Sequence, residues 1–210
     1  MNTPAMNPAV LRIISVKRVQ GRAILSLSNG DVITMPRALL KERPYRSGME
    51  FDPEKHNEFV ESRAYHFAME KAVAYLAPRA RTEKELVDAL RQNAYPEHAI
   101  ARVMAYLTEA GYMNDTDFAH QWAASRVNKG LGSRRIRSEL LQKGISQADI
   151  DEVIADLNED DLLSGAIRAA EKAAKGKDLS TPTDRQKVLA ALARKGYDYS
   201  LARQAIEHIR

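Results

Sequence analysis

Three stretches of this chain read as copies of one another, spaced about fifty residues apart. Leu86, Leu90, Asn93, Ala94 and Tyr95 form the first, and Ile136, Leu140, Lys143, Gly144 and Ile145 the second. Val188, Leu192, Lys195, Gly196 and Tyr197 form the third. Each copy then reaches a small or apolar residue (Ile100, Ile150, Ala202) and, shortly after, an apolar pair: Val103 with Met104, Val153 with Ile154, Ala205 with Ile206. Repetition at this period, with helical spacing inside each copy, predicts a helical array whose units together present a long surface. Such a surface suits gripping something extended better than closing over a small substrate.

Composition narrows the reading. Charged residues make up 29% of the 210 and aromatics only 6%, which predicts thin cores and much solvated helix surface. The chain has no cysteine, so disulfides and thiolate metal sites are excluded and a reducing cytoplasm is expected. The first nine residues are polar and broken by proline, unlike a signal peptide, and no apolar run approaches the roughly 20 residues of a membrane span. The net charge of +4 is partitioned: residues 126–148 hold six Lys or Arg against one acid, while residues 149–161 hold seven acids and no base. Basic blocks that fall on repeated elements point to a polyanionic or acidic partner.

Residues 10–51 differ in character from the rest of the chain. Strand composition over 10–17 and alternating Ala23, Leu25 and Leu27 lead to Asn29-Gly30, a hairpin signal in which both turn residues are expected at positive φ. A second strand over 32–35 and a short helix over 37–43 complete a small β-rich module. Asp52-Pro53-Glu54 then opens a long helix, Thr82-Glu83-Lys84-Glu85 is a capping box, and Gly111 ends a third helix. The plan recurs with a cap at Asn114 or Asp115, a break at Gly130, a cap at Ser133 and another at Ser146. It recurs once more from Asp161, with a loop over 176–182. The expected architecture is mainly α: three tandem three-helix repeats in an elongated array (52–111, 112–160, 161–210) behind a β-rich module (1–51).

Gly144 and Gly196 read as left-handed helix ends, and Ala94 at the same place implies a differently built turn. Trp122 reads as core. The histidines show no metal spacing, and Gly130-Leu131-Gly132-Ser133 lacks both the ending and the preceding strand of a phosphate loop. No nucleophile–base couple or carboxylate pair converges, so neither catalysis nor a cofactor is expected. The basic segment Arg126, Lys129, Arg134, Arg135, Arg137 and Lys143 is the sharpest binding candidate. With Ile136, Leu140 and Leu141 as the inward stripe, its arginines should project outward beside free backbone N–H groups at the Ser133 end.

Taken together, these residues resemble the RecX family of bacterial regulatory proteins. The resemblance rests on Tyr75-Leu76, Arg79, Arg81 and Glu85-Leu86, then on Gly111-Tyr112-Met113-Asn114-Asp115 with Phe118-Ala119. It continues through Arg126, Lys129, Gly130, Arg135-Ile136, Leu140 and Lys143-Gly144-Ile145, and closes on Arg194-Lys195-Gly196-Tyr197. It covers about residues 60–210, departing at Ala94 and in the first helix of the third repeat. The resemblance implies a modulator of RecA that lies in the groove of the RecA–single-stranded DNA filament and opposes filament extension, ATP hydrolysis and strand exchange. It thus implies a part in DNA repair, recombination and the SOS response. Partner-binding residues would be the basic segment with Arg194 and Lys195; Asp115, Phe118, Leu140, Gly144 and Gly196 would be structural. The chain is expected to be cytoplasmic and monomeric. A sequence-nonspecific nucleic-acid-binding repeat protein and a helical adaptor for another protein are the competing classes. Core spacing of the aromatics, which leaves few stacking platforms, speaks against direct nucleic-acid binding.

Overall fold

The computed structural model describes residues 10–209. Residues 1–9, expected not to be a signal peptide, and Arg210 lie outside them. Three antiparallel strands come first: β1 (Ile13–Val19), β2 (Arg22–Leu27) and β3 (Val32–Pro36), in that order across the sheet. The two hairpins reverse the expectation about their turns. Positive φ at both turn residues occurs at Gln20 and Gly21, between β1 and β2. In the Asn29-Gly30 turn only Gly30 is left-handed, and its N–H donates to the Leu27 carbonyl at 3.0 Å. This is a three-residue loop with a bulge, the geometry that needs a single left-handed residue. The segment after β3 is a single 3-10 stretch, Arg37–Lys41, rather than a longer helix.

Nine α-helices come next among the described residues. The first three are α1 (Pro53–Leu76), α2 (Glu83–Gln92) and α3 (Glu97–Glu109). Asp52 caps α1, accepting from the Lys55 N–H, and Thr82 with Glu85 closes the capping box of α2. Inward residues of the sheet (Ile13, Ala23, Leu25, Met35) and of the helices (Ala68, Leu86, Leu90, Val103) join in one apolar core. The described residues up to Met113 accordingly form one compact unit and those from Asn114 onward a second.

The second unit contains α4 (Asp115–Asn128), α5 (Ser133–Gln142), α6 (Gln147–Ala155), α7 (Glu159–Ala174), α8 (Pro182–Arg194) and α9 (Tyr199–His208). Asn114 caps α4, and Asn158 caps α7, which begins at Glu159, two residues before the expected start. Phe118, Ala123, Ile136, Leu140 and Ile150 make one core; Ala166, Ala170, Val188, Leu192 and Ala205 make another. Ile136 and Leu140 are fully buried as expected, but Leu141 is 48% exposed, so the stripe of α5 is narrower than its sequence implied. No described helix is long and apolar enough to cross a membrane.

The three repeat corners share one geometry. Ala94, Gly144 and Gly196 have φ of 61°, 87° and 90°. In each corner the next residue (Tyr95, Ile145, Tyr197) donates its N–H five residues back, to Leu90, Leu140 or Leu192. Ala94 therefore adopts the turn that its side chain was expected to forbid, at the cost of crowding its own carbonyl.

Candidate binding face

The basic segment divides by what its side chains meet. Arg126 and Arg135 both donate to Glu139, at 2.6 and 3.1 Å, and the Trp122 indole N–H adds a third bond at 3.2 Å. Burial alone would raise the Glu139 carboxyl, but these donors outweigh it and hold the group below its usual range. The Arg126 guanidinium lies 3.7 Å from the Trp122 ring centre, the Lys143 ammonium 4.1 Å, and Phe118 stacks on the same ring at 5.6 Å. Trp122 is thus half-buried, packed against the core of this repeat as expected, with cations over its ring. Arg137 donates to Asp151 of α6 at 2.5 Å. Lys129 and Arg134 remain exposed, and neither makes an ion pair among the described residues.

The start of α5 overturns a second expectation. Gly132, not Ser133, is the N-cap residue, and no side chain caps the helix. The free N–H groups are instead met by the end of α8: Gly132 N–H donates to the Lys195 carbonyl at 2.9 Å and Arg134 N–H to the Gly196 carbonyl at 3.1 Å. Two backbone donors at that terminus are thereby taken by carbonyls and do not face solvent. What forms is a joint between two repeats, and it is tight. A Cβ on Gly132 would come within 2.5 Å of the Gly196 carbonyl carbon and oxygen, and one on Gly196 would press on the Arg135 backbone. The Tyr197 ring fills the space beside Gly130 and Gly165, with its hydroxyl buried.

The joint brings together the backbones of two segments that carry cations, one from each repeat. Arg134 and Arg135 from α5 are exposed, as is Arg194 in the last turn of α8, and Lys195 comes after it, half-buried. Lysine and arginine offer donors and no lone pair, so this face suits an anionic surface and cannot ligate a metal. Of the residues expected to be structural, Asp115 opens α4, Phe118 and Leu140 are buried, and Gly144 and Gly196 are the left-handed corners. Sequence reasoning missed the Glu139 clamp and the carbonyl cap from α8. The clamp had a signal, since Glu139 is the only acid of its block and stands four residues after Arg135. The carbonyl cap had none, because backbone groups carry no residue identity.

Comparison with known proteins bears on the family and the fold. The first, second and third three-helix domains described for RecX match residues 68–107, 114–154 and 159–206. The chain is 34% identical over 135 residues to a regulatory protein RecX from Mycolicibacterium vanbaalenii, covering 60% of this chain and 73% of that one. A regulatory protein RecX from Leuconostoc citreum is 27% identical over 196 residues, 92% of this chain and 74% of its own. A crystal structure of a regulatory protein RecX superposes with a TM-score of 0.65 at 21% identity, covering 95% of this chain and all of that one; at that identity the likeness concerns the fold.

Proposed function

The chain belongs to the RecX family, and on that premise we propose that it regulates RecA by binding along the groove of the RecA–single-stranded DNA filament and restraining it. Restraint here means slower filament extension, ATP hydrolysis and strand exchange, in the setting of DNA repair, recombination and the SOS response. The protein acts in the cytoplasm as a monomer, without catalysis or a cofactor of its own. The observation that carries this reading is the joint between α8 and α5. It fixes Arg134, Arg135, Arg194 and Lys195 in one register across two repeats, so several weak charge contacts can engage a repeating partner together. The deciding experiment is a titration of DNA-dependent ATP hydrolysis by RecA. Turnover should fall at or below one chain per RecA protomer, and turnover unchanged over that range would refute the proposal.

One observation favours direct binding to single-stranded nucleic acid as a second reading. Tyr106, Tyr112 and Tyr199 are more than half exposed, and exposed rings can stack on bases. A salt series separates the two readings. If Arg134, Arg135 and Arg137 meet DNA phosphates, their removal lowers the log–log salt slope by roughly 0.7 per lost contact, on bare DNA as well as on filaments. If they meet acidic residues of the filament protein, bare-DNA binding stays as it was.

A further inference from the structure

Away from the basic face, the second repeat brings together a histidine and two acids. His120 of α4 and Glu152 and Asp156 at the end of α6 each present a donor atom, and all three atoms lie within 4.8 Å of one another. Glu152 and Asp156 stand four residues apart, so their carboxylates leave the same side of α6. Asp156 is the C-cap of that helix, whose last turn carries no base. A carboxylate there meets the negative end of the helix dipole. Neither acid pairs with a Lys or Arg among the described residues, and both belong to the base-free run over 149–161. His120 and Asp156 also line a groove with Ala124, Val127 and Asp161, which leaves room for solvent at the free side of the three donors.

We propose that His120, Glu152 and Asp156 form a divalent-cation site of the zinc type, tying α4 to α6 within the second repeat. One imidazole nitrogen with two carboxylate oxygens suits zinc, cobalt or manganese; calcium and magnesium favour oxygen donors alone. Water completes the coordination on the groove side. No cysteine competes for the ion, and the ion pairs His66–Glu70 and His98–Glu61 offer only two donors each. A bound cation would offset both the repulsion between the two acids and their unfavourable place at the helix end. This site is independent of any role in RecA regulation.

Calorimetric titration of the full chain with Zn2+, in a buffer that does not chelate, tests the proposal. One ion per chain is expected. His120→Ala removes the nitrogen donor and leaves both carboxylates in place, and should weaken binding at least tenfold, as should Asp156→Asn. Asp160→Asn, which removes a charge of the same acidic run outside the three donors, should stay within about twofold of the parent. Equal binding by His120→Ala, or equal losses in the two Asp→Asn variants, would mean diffuse attraction and overturn the site. Should His120→Ala fail to fold, the visible absorption of Co2+ added to the parent decides. A spectrum of cobalt bound through nitrogen supports the site, and the spectrum of the hydrated ion overturns it.

Discussion

The corner of the first repeat and the corner of the third have the same backbone and opposite surroundings. At Ala94 the hydrogen bonds stay inside the first repeat, and a methyl group is accommodated at a φ of 61°. At Gly196 the carbonyl caps α5 of the neighbouring repeat, and a methyl group would strike the Arg135 backbone. A glycine preference in a repeat therefore merges two demands, a left-handed angle and empty space. The first corner meets the angle without glycine, at a cost in strain. The third has to meet both, because that corner is also the joint that aligns the basic residues.

Gly196 is where the two demands meet. Gly196→Ala adds a clash at the joint to the backbone strain and should cost about 2–5 kcal/mol, seen as a large fall in melting temperature. Gly144 has the same angle, but its hydrogen bonds remain in its own repeat, so Gly144→Ala should cost about 1–2 kcal/mol. Equal losses at the two glycines would mean that the joint contributes nothing beyond the angle. The tyrosines beneath the corners sharpen the contrast. Tyr95 donates to the Phe67 carbonyl at 3.0 Å, and burial, its largest influence, raises its pKa to about 12, whereas the Tyr197 hydroxyl finds no protein partner among the described residues. Tyr95→Phe should therefore cost about 1 kcal/mol in denaturant unfolding and Tyr197→Phe clearly less. In the opposite direction, Ala94→Gly should stabilise by about 0.5–1 kcal/mol, as relief of strain exceeds the entropy added to the unfolded chain.

The smallest effect concerns acid. In the first unit His56 is 4% exposed, bonded to the Tyr45 hydroxyl at 2.8 Å, and pushed down first by burial and then by Arg43. An unfolded histidine binds its proton near pH 6.5, above the folded value, so the stability that depends on neutral His56 is complete above that pH and is lost as pH falls below it. In the second unit the depressed Glu139 contributes stability above about pH 4.3, lost only on further acidification. Hydrogen exchange monitored from pH 7 to 5 should loosen residues 10–113 before residues 114–209. The reverse order would contradict this account of His56.

Much of this was legible because the signals were local. The capping box at Thr82, the Asp52-Pro53 start and the inward positions Ile136 and Leu140 depend on side chains a turn apart, and each stands as the sequence implied. The corner at Ala94 was misread because a glycine preference was taken as a requirement. Asn29-Gly30 was misread because one dipeptide serves two hairpin geometries that differ by a single residue in the loop. The start of α5 was beyond reach: Ser133 is a plausible cap, and only the fold brings the Lys195 and Gly196 carbonyls to displace it. The same holds for the basic segment. Sequence could count its charges, but which of them Glu139 and Asp151 would neutralise depended on how α4, α5 and α6 pack.

If charges from two repeats act as one face, filament affinity should fall when cations are removed from either repeat. Lys129→Ala with Arg134→Ala removes two exposed cations of the second repeat, and Arg194→Ala with Lys195→Ala the two of the third repeat that lie at the joint. Each pair should weaken binding to the RecA–DNA filament by about tenfold at moderate salt, and the combined variant by more than either. Losses confined to one repeat, or none in either, would contradict a shared face.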